Sequence, residues 1–98
     1  MLARVTTIQM DPTRIDEAIR QLEAQDIARW KEIDGFKGAT ILVDRDSGKV
    51  IGTTYWESRE QMDASEELVQ ESRQRAAETG GGGVQSVERF EVAVDTQV

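Results

Sequence analysis

The chain has 98 residues, with 19 acidic against 12 basic side chains and a formal charge of −7. That balance repels phosphate backbones and anionic membrane surfaces, and so argues against nucleic acid and membrane as partners. It contains neither cysteine nor histidine, which removes disulfides, thiol nucleophiles, thiolate metal sites and the commonest metal and haem ligand together.

A chain of this length is expected to form one domain, residues 1–98. It buries only about 60–65% of the surface its unfolded form exposes, so a partner that covers more apolar area is favoured. Leu2 to Met10 carries β-branched and apolar residues (Val5, Thr6, Thr7, Ile8) without glycine or proline, which predicts a first strand covered on both faces. With that start and no long apolar run, neither a membrane span nor a secretory signal is expected, and the cytoplasm is the expected location.

Asp11-Pro12 supplies an acceptor for orphan amide groups and a residue pre-set for the first helical position, so a helix begins there. Ile15, Ala18, Ile19 and Leu22 follow at helical spacing; the next apolar residues are Ile27, Trp30 and Ile33. The step of five from Leu22 to Ile27 predicts a kink or restart near Asp26. Gly35 stops the helix, Gly38 to Val43 is a second strand, and Asp44 to Lys49 is a polar turn into a third, Val50 to Trp56. Asp44, Asp46 and Gly48 resemble the start of a calcium loop, but the position of its closing carboxylate holds Tyr55, so a hairpin turn is expected.

Ser58 with Gln61 forms a capping-box pattern, and Met62, Val69 and Ala76 recur every seven residues to define a second helix. Its glutamates, including Glu66, read as a solvated face, with Arg73 and Arg75 suiting the helix dipole. Gly80 to Gly83 reads as a flexible connection or pocket lid, since no helix or Lys-Ser/Thr follows it. Val84 to Asp95 alternates Phe90, Val92 and Val94 with Arg89, Glu91 and Ala93 as a last strand.

The order predicts an α+β, ferredoxin-like βαββαβ unit: a four-stranded antiparallel sheet with two helices on one face. Its other face would be apolar and uncovered, and a second copy of the same sheet would cover it. The expected state is a homodimer.

This order, with Gly35-Phe36-Lys37-Gly38 before strand two and Trp56-Glu57-Ser58 after strand three, resembles the antibiotic biosynthesis monooxygenase family of the dimeric α/β barrel superfamily. The resemblance covers nearly the whole chain. It implies homodimers whose sheets face each other, a pocket between each sheet and its own helices, and cofactor-independent oxidation of polycyclic aromatic compounds by dioxygen. Haem-degrading relatives use a tryptophan near the end of strand three and a histidine about ten residues on. Here Trp56 is present, but the later stretch reads Ala64-Ser65-Glu66 and the chain lacks histidine, so haem ligation of that kind is not expected. No cofactor and no bound metal are expected.

Oxygenation without a cofactor needs a deprotonated enol or phenol, a donor for the resulting anion and a dry pocket. Trp56 is a pocket candidate, as a flat surface with one N–H donor, or else a core aromatic closing the sheet. Tyr55 is its neighbour on the strand and faces the opposite way, so only one of the two lies under the helices. Trp30 lies on the first helix's apolar stripe and reads as core or pocket; Arg89 offers an anion contact or a surface ion pair. No paired acid and base is visible. The chain is therefore expected to bind a small aromatic ligand, as an oxygenase or as a non-catalytic binding or sensing protein. A purely structural subunit is the third reading.

Overall fold

The computed structural model describes residues 1–96; residues 97–98, the end of the expected domain, lie outside the described residues. Strands β1 (Leu2–Gln9), β2 (Phe36–Asp44), β3 (Lys49–Trp56) and β4 (Gly83–Glu91) form one sheet in the order β2-β3-β1-β4. Every neighbouring pair is antiparallel. The helical connections pack on one face, which is the α+β, ferredoxin-like βαββαβ arrangement. Among the described residues no helix is long and apolar enough to cross a membrane.

The first connection starts as the sequence requires. Asp11 Oδ1 accepts from the backbone N–H of Thr13 at 2.9 Å and from its hydroxyl at 2.8 Å, bonds that hold the Asp11 carboxyl below the usual carboxylate range. Pro12–Arg14 is one 3₁₀ turn, and α1 (Ile15–Gln21) follows. The expected kink is instead a π turn, Leu22–Asp26, that runs directly into α2 (Ile27–Trp30). The Ile27 N–H bonds the Leu22 carbonyl five residues back, so the extra residue is absorbed within the turn and Leu22 and Trp30 both stay buried.

The β2–β3 turn depends on Gly48. Its φ is +81°, and a Cβ there would overlap the Met10 carbonyl oxygen; the Gly48 carbonyl in turn accepts from Met10 N–H at 2.8 Å. Gly48→Ala should therefore cost about 1–3 kcal/mol of stability, read as a lower urea midpoint. An unchanged midpoint would mean that the turn relaxes without strain.

Three expectations are corrected. Helix two is two segments, α3 (Arg59–Ala64) and α4 (Glu66–Thr79), capped by Ser58 and broken at Ser65. There the Ser65 hydroxyl and Arg4 Nη2 both donate to the Met62 carbonyl, each at 2.6 Å, in competition with helix continuation. The glycine run is packed rather than free. Gly80 accepts from Asp11 N–H at 2.8 Å, and a Cβ on Gly82 would overlap the Gln9 carbonyl. The last strand ends at Glu91 because its partner Leu2 begins β1; beyond it Val92 N–H reaches Met1 O, and Val94 is 82% exposed.

Two connected layers of side chains fill the space under the helices. One holds Ile8, Met10, Ile15, Ala18, Leu22, Trp30, Val50, Ala76 and Ala77, and the other Trp56, Met62 and Val69. Pairing places Leu2, Arg4, Thr6 and Ile8 on the helix side beside Trp56, Thr54, Gly52 and Val50. Ala3, Val5, Ile51, Thr53, Tyr55 and Leu42 share the face that carries no helix. At its margins Leu42 and Phe90 are 55% and 50% exposed.

Candidate functional site

A cavity of about 50 Å³ lies between the helix face of the sheet and α4. Its wall is mainly apolar: Ile8, Met10, Leu22, Ile41, Val50, Val69 and Ala76, with Trp30 as its aromatic member. Thr6, Thr54, Ser72 and Arg73 supply polar groups. Space of this size takes a few waters or one end of a small molecule. A groove of about 250 Å³ lies against the same wall on the outer side, between α1, the π turn and β2. Leu22 and Ile41 line both spaces, and an Asp16–Arg45 ion pair of 3.0 Å spans the groove's rim.

Two polar networks hold the wall. In the first, Trp30 Nε1 donates to Ser72 Oγ at 3.2 Å, and Ser72 donates to Asp26 Oδ1 at 2.8 Å. Asp26 is buried and is paired with Arg75. These bonds commit the Ser72 proton to Asp26 and fix the indole plane on the cavity wall.

In the second network three guanidinium groups converge on Glu66. Arg4 lies 2.9 Å from it, Arg73 3.2 Å and Arg89 3.1 Å. Arg4 also holds the Met62 carbonyl and lies 5.6 Å over the Trp56 ring. Burial lowers the Arg4 pKa; Glu66 opposes that shift, and Arg73 and Arg89 add to it. Arg73 is only 9% exposed, and its Nε and Nη2 are buried with no hydrogen-bond partner among the described residues. A buried donor left unpaired costs about 1–3 kcal/mol, which marks this edge as a place where a ligand would be stabilising.

Of the four residues singled out in sequence, Trp30 alone lies on the cavity wall. Trp56 is wholly buried one layer away: Nε1 donates to Thr54 Oγ1 at 2.9 Å, and Phe36 meets its ring edge-on at 5.5 Å. Tyr55 is on the helix-free face, opposite Trp56 as alternation requires. Arg89 is on the helix side but outside the cavity, paired with Glu66. The solvated-face reading of Glu66 is corrected, because it is drawn into the arginine cluster, and Arg73, read as suiting the helix dipole, is buried against it. Sequence reasoning also missed Arg4, Asp26 and Ser72. Among the described residues no group of three His, Cys, Asp or Glu is placed to hold a metal ion.

No family model matches the sequence. Two uncharacterized proteins of Mycobacterium tuberculosis do. Rv2557 is 42% identical over 91 residues, 93% of this chain and 40% of that protein; Rv2558 is 40% identical over 92 residues, 94% and 39%. The chain thus spans about two fifths of the length of the curated relatives it matches. Among solved structures, the heme-degrader MhuD of M. tuberculosis, with two hemes bound, superposes with a TM-score of 0.76 at 20% identity, covering 99% of this chain and 100% of that one. The monooxygenase ActVA-Orf6 of Streptomyces coelicolor, in complex with Nanaomycin D, gives 0.73 at 18%, covering 99% and 91%. SnoaB, a cofactor-independent oxygenase of Streptomyces nogalater, gives 0.66 at 14%, covering 96% and 94%. The chain has the ferredoxin-like fold of the antibiotic biosynthesis monooxygenases.

Proposed function

We propose that this chain is a small-molecule-binding homodimer of the antibiotic biosynthesis monooxygenase type, with residues 1–98 forming one domain that acts in the cytoplasm. The observation that carries this reading is the apolar cavity beneath the helices, which has Trp30 on its wall and the Arg73 guanidinium buried beside it. An indole surface favours a flat aromatic ligand, and the apolar lining excludes water from it. The reaction proposed is cofactor-independent oxygenation, in which an ionised enol or phenol reacts with dioxygen. One oxygen atom enters the ring, the other leaves as water, and the substrate supplies the electrons.

The non-catalytic binding reading is favoured by one observation: the cavity wall carries no carboxylate and no tyrosine, so no side chain there is an evident general base. The two readings separate in one experiment. Aromatic compounds are screened by quenching of tryptophan emission, and the hits are assayed for oxygen uptake. Saturable quenching that persists in Trp56→Phe, where Trp30 alone emits, supports the cavity as the binding site; no saturable quenching by any compound would overturn it. Uptake above the protein-free rate then assigns oxygenation, and its absence with every hit leaves binding alone.

The dimer reading is supported by the helix-free face, where Val5, Ile51, Tyr55 and Leu42 form an apolar surface edged by Phe90. A stable pair commonly buries about 1,200–2,000 Å² in all. Light scattering at micromolar concentration should give twice the chain mass for the wild type, and a lighter species for Leu42→Glu, which puts a charge into the contact. A monomeric wild type would refute the pairing.

A further inference from the structure

Resting on the binding reading above, we infer that Arg73 is a seat for a carboxylate, so that the cavity selects flat apolar molecules carrying one carboxylate group over neutral molecules of the same shape. The guanidinium group has a side-on edge, made by Nε–H and one Nη2–H, that presents two parallel donors at the spacing of the two oxygens of a carboxylate. In Arg73 the Nη1 end is engaged by Glu66 at 3.2 Å, and Nε and Nη2 are buried without a partner among the described residues. An entire fork is therefore left without an acceptor, buried on a side chain that is 9% exposed and is one of those lining the cavity, so a carboxylate would reach it by displacing the groups that now cover it.

The rest of the wall agrees with a ligand polar at one end. Apart from Arg73, the polar members are the hydroxyls Thr6, Thr54 and Ser72, and the Ser72 hydroxyl is already committed to Asp26 and Trp30. The inner space of about 50 Å³ suits the head of such a molecule. The outer groove of about 250 Å³ suits its body, with Leu22 and Ile41 as the partition that must part to join them. Joined, the two reach the lower end of ligand-pocket volumes, roughly 300 Å³. The groove's floor of Ile19, Ile27 and Val43 is apolar, as the body of an aromatic acid requires.

The test is calorimetric titration of the whole chain with 2-naphthoate and with 2-naphthamide, which share a ring system and differ in charge. The wild type should bind the carboxylate about tenfold or more tightly, the factor expected from one charge-assisted contact. In Arg73→Gln the preference should vanish while the amide binds as before. Equal affinity of the wild type for the two probes would overturn the carboxylate seat and leave the binding reading intact. A preference that persists in Arg73→Gln would place the recognition elsewhere and overturn it too. Binding of neither probe at millimolar concentration would sink the seat together with the aromatic-ligand reading. The wild-type comparison stands even if the variant fails to fold.

Discussion

Replacing Arg4 with alanine should lower the stability of this chain by about 3–5 kcal/mol, the cost of losing a large buried side chain together with its charged hydrogen bonds. For a domain whose total is on the order of 5–15 kcal/mol, that approaches unfolding. The reason is the number of groups that depend on one side chain. Arg4 is 1% exposed and bonds the Met62 carbonyl at the α3–α4 break, approaches the Ser65 hydroxyl, pairs with Glu66 and covers the Trp56 ring. Alanine leaves a cavity against Trp56 and a helix-end carbonyl without its second donor. Arg4→Met keeps most of the stem volume and leaves Glu66 held by Arg73 and Arg89, so it should lose clearly less. Urea melts of the two variants decide the matter. Equal losses would mean that the charged contacts alone, and not the packing of the stem, determine the contribution of Arg4.

Trp56→Ala should lose a further large amount, about 3–5 kcal/mol, as expected for a fully buried aromatic ring. Trp56→Phe should lose about 1–3 kcal/mol, since it gives up the 2.9 Å bond to Thr54 and part of the ring under Arg4. In neither variant should ligand affinity change, because Trp56 does not line the cavity. Trp30→Phe should show the reverse emphasis, with affinity reduced through the lost stacking surface and only a modest change in midpoint. The phenylalanine variant at position 56 also leaves Trp30 as the one tryptophan, so its emission reports on the cavity directly. A Trp56→Phe protein of wild-type stability that has lost aromatic binding would return Trp56 to the ligand and remove it from the core.

The buried charges show why the site was only partly legible. Along α3, the Ser65 break and α4 the buried stripe runs through Met62, Ser65, Val69, Ser72, Arg73 and Ala76, and the heptad of Met62, Val69 and Ala76 was visible in sequence. Ser72 and Arg73 lie three and four residues after Val69, on the same helical face, so their burial followed from spacing. Composition hid it, because arginines and serines ordinarily belong to the solvated side. Asp26 stands four residues from both Leu22 and Trp30 and is buried for the same reason. Arg4 alternates with Leu2, Thr6 and Ile8 on the helix side of β1, which period-two counting also shows. In each case periodicity and polarity pointed to opposite faces, and periodicity prevailed where a partner waited across the core.

Local chemistry by itself determined the element order, the Asp11-Pro12 start, the Ser58 cap, the hairpin turn at Gly48 and the opposite facing of Tyr55 and Trp56. Each of these depends on dihedral limits or side-chain period over a few residues. The step of five before Ile27 also marked where the first helix departs from α geometry, though the sequence did not distinguish a kink from a π turn. Only the tertiary structure decided that Trp30 lines the cavity and Trp56 does not, and that Glu66 gathers Arg4, Arg73 and Arg89. Those relations join residues as far as 62 positions apart. Their partners are chosen by how the sheet and helices pack, a non-local competition between burial cost and pairing that no window of sequence contains.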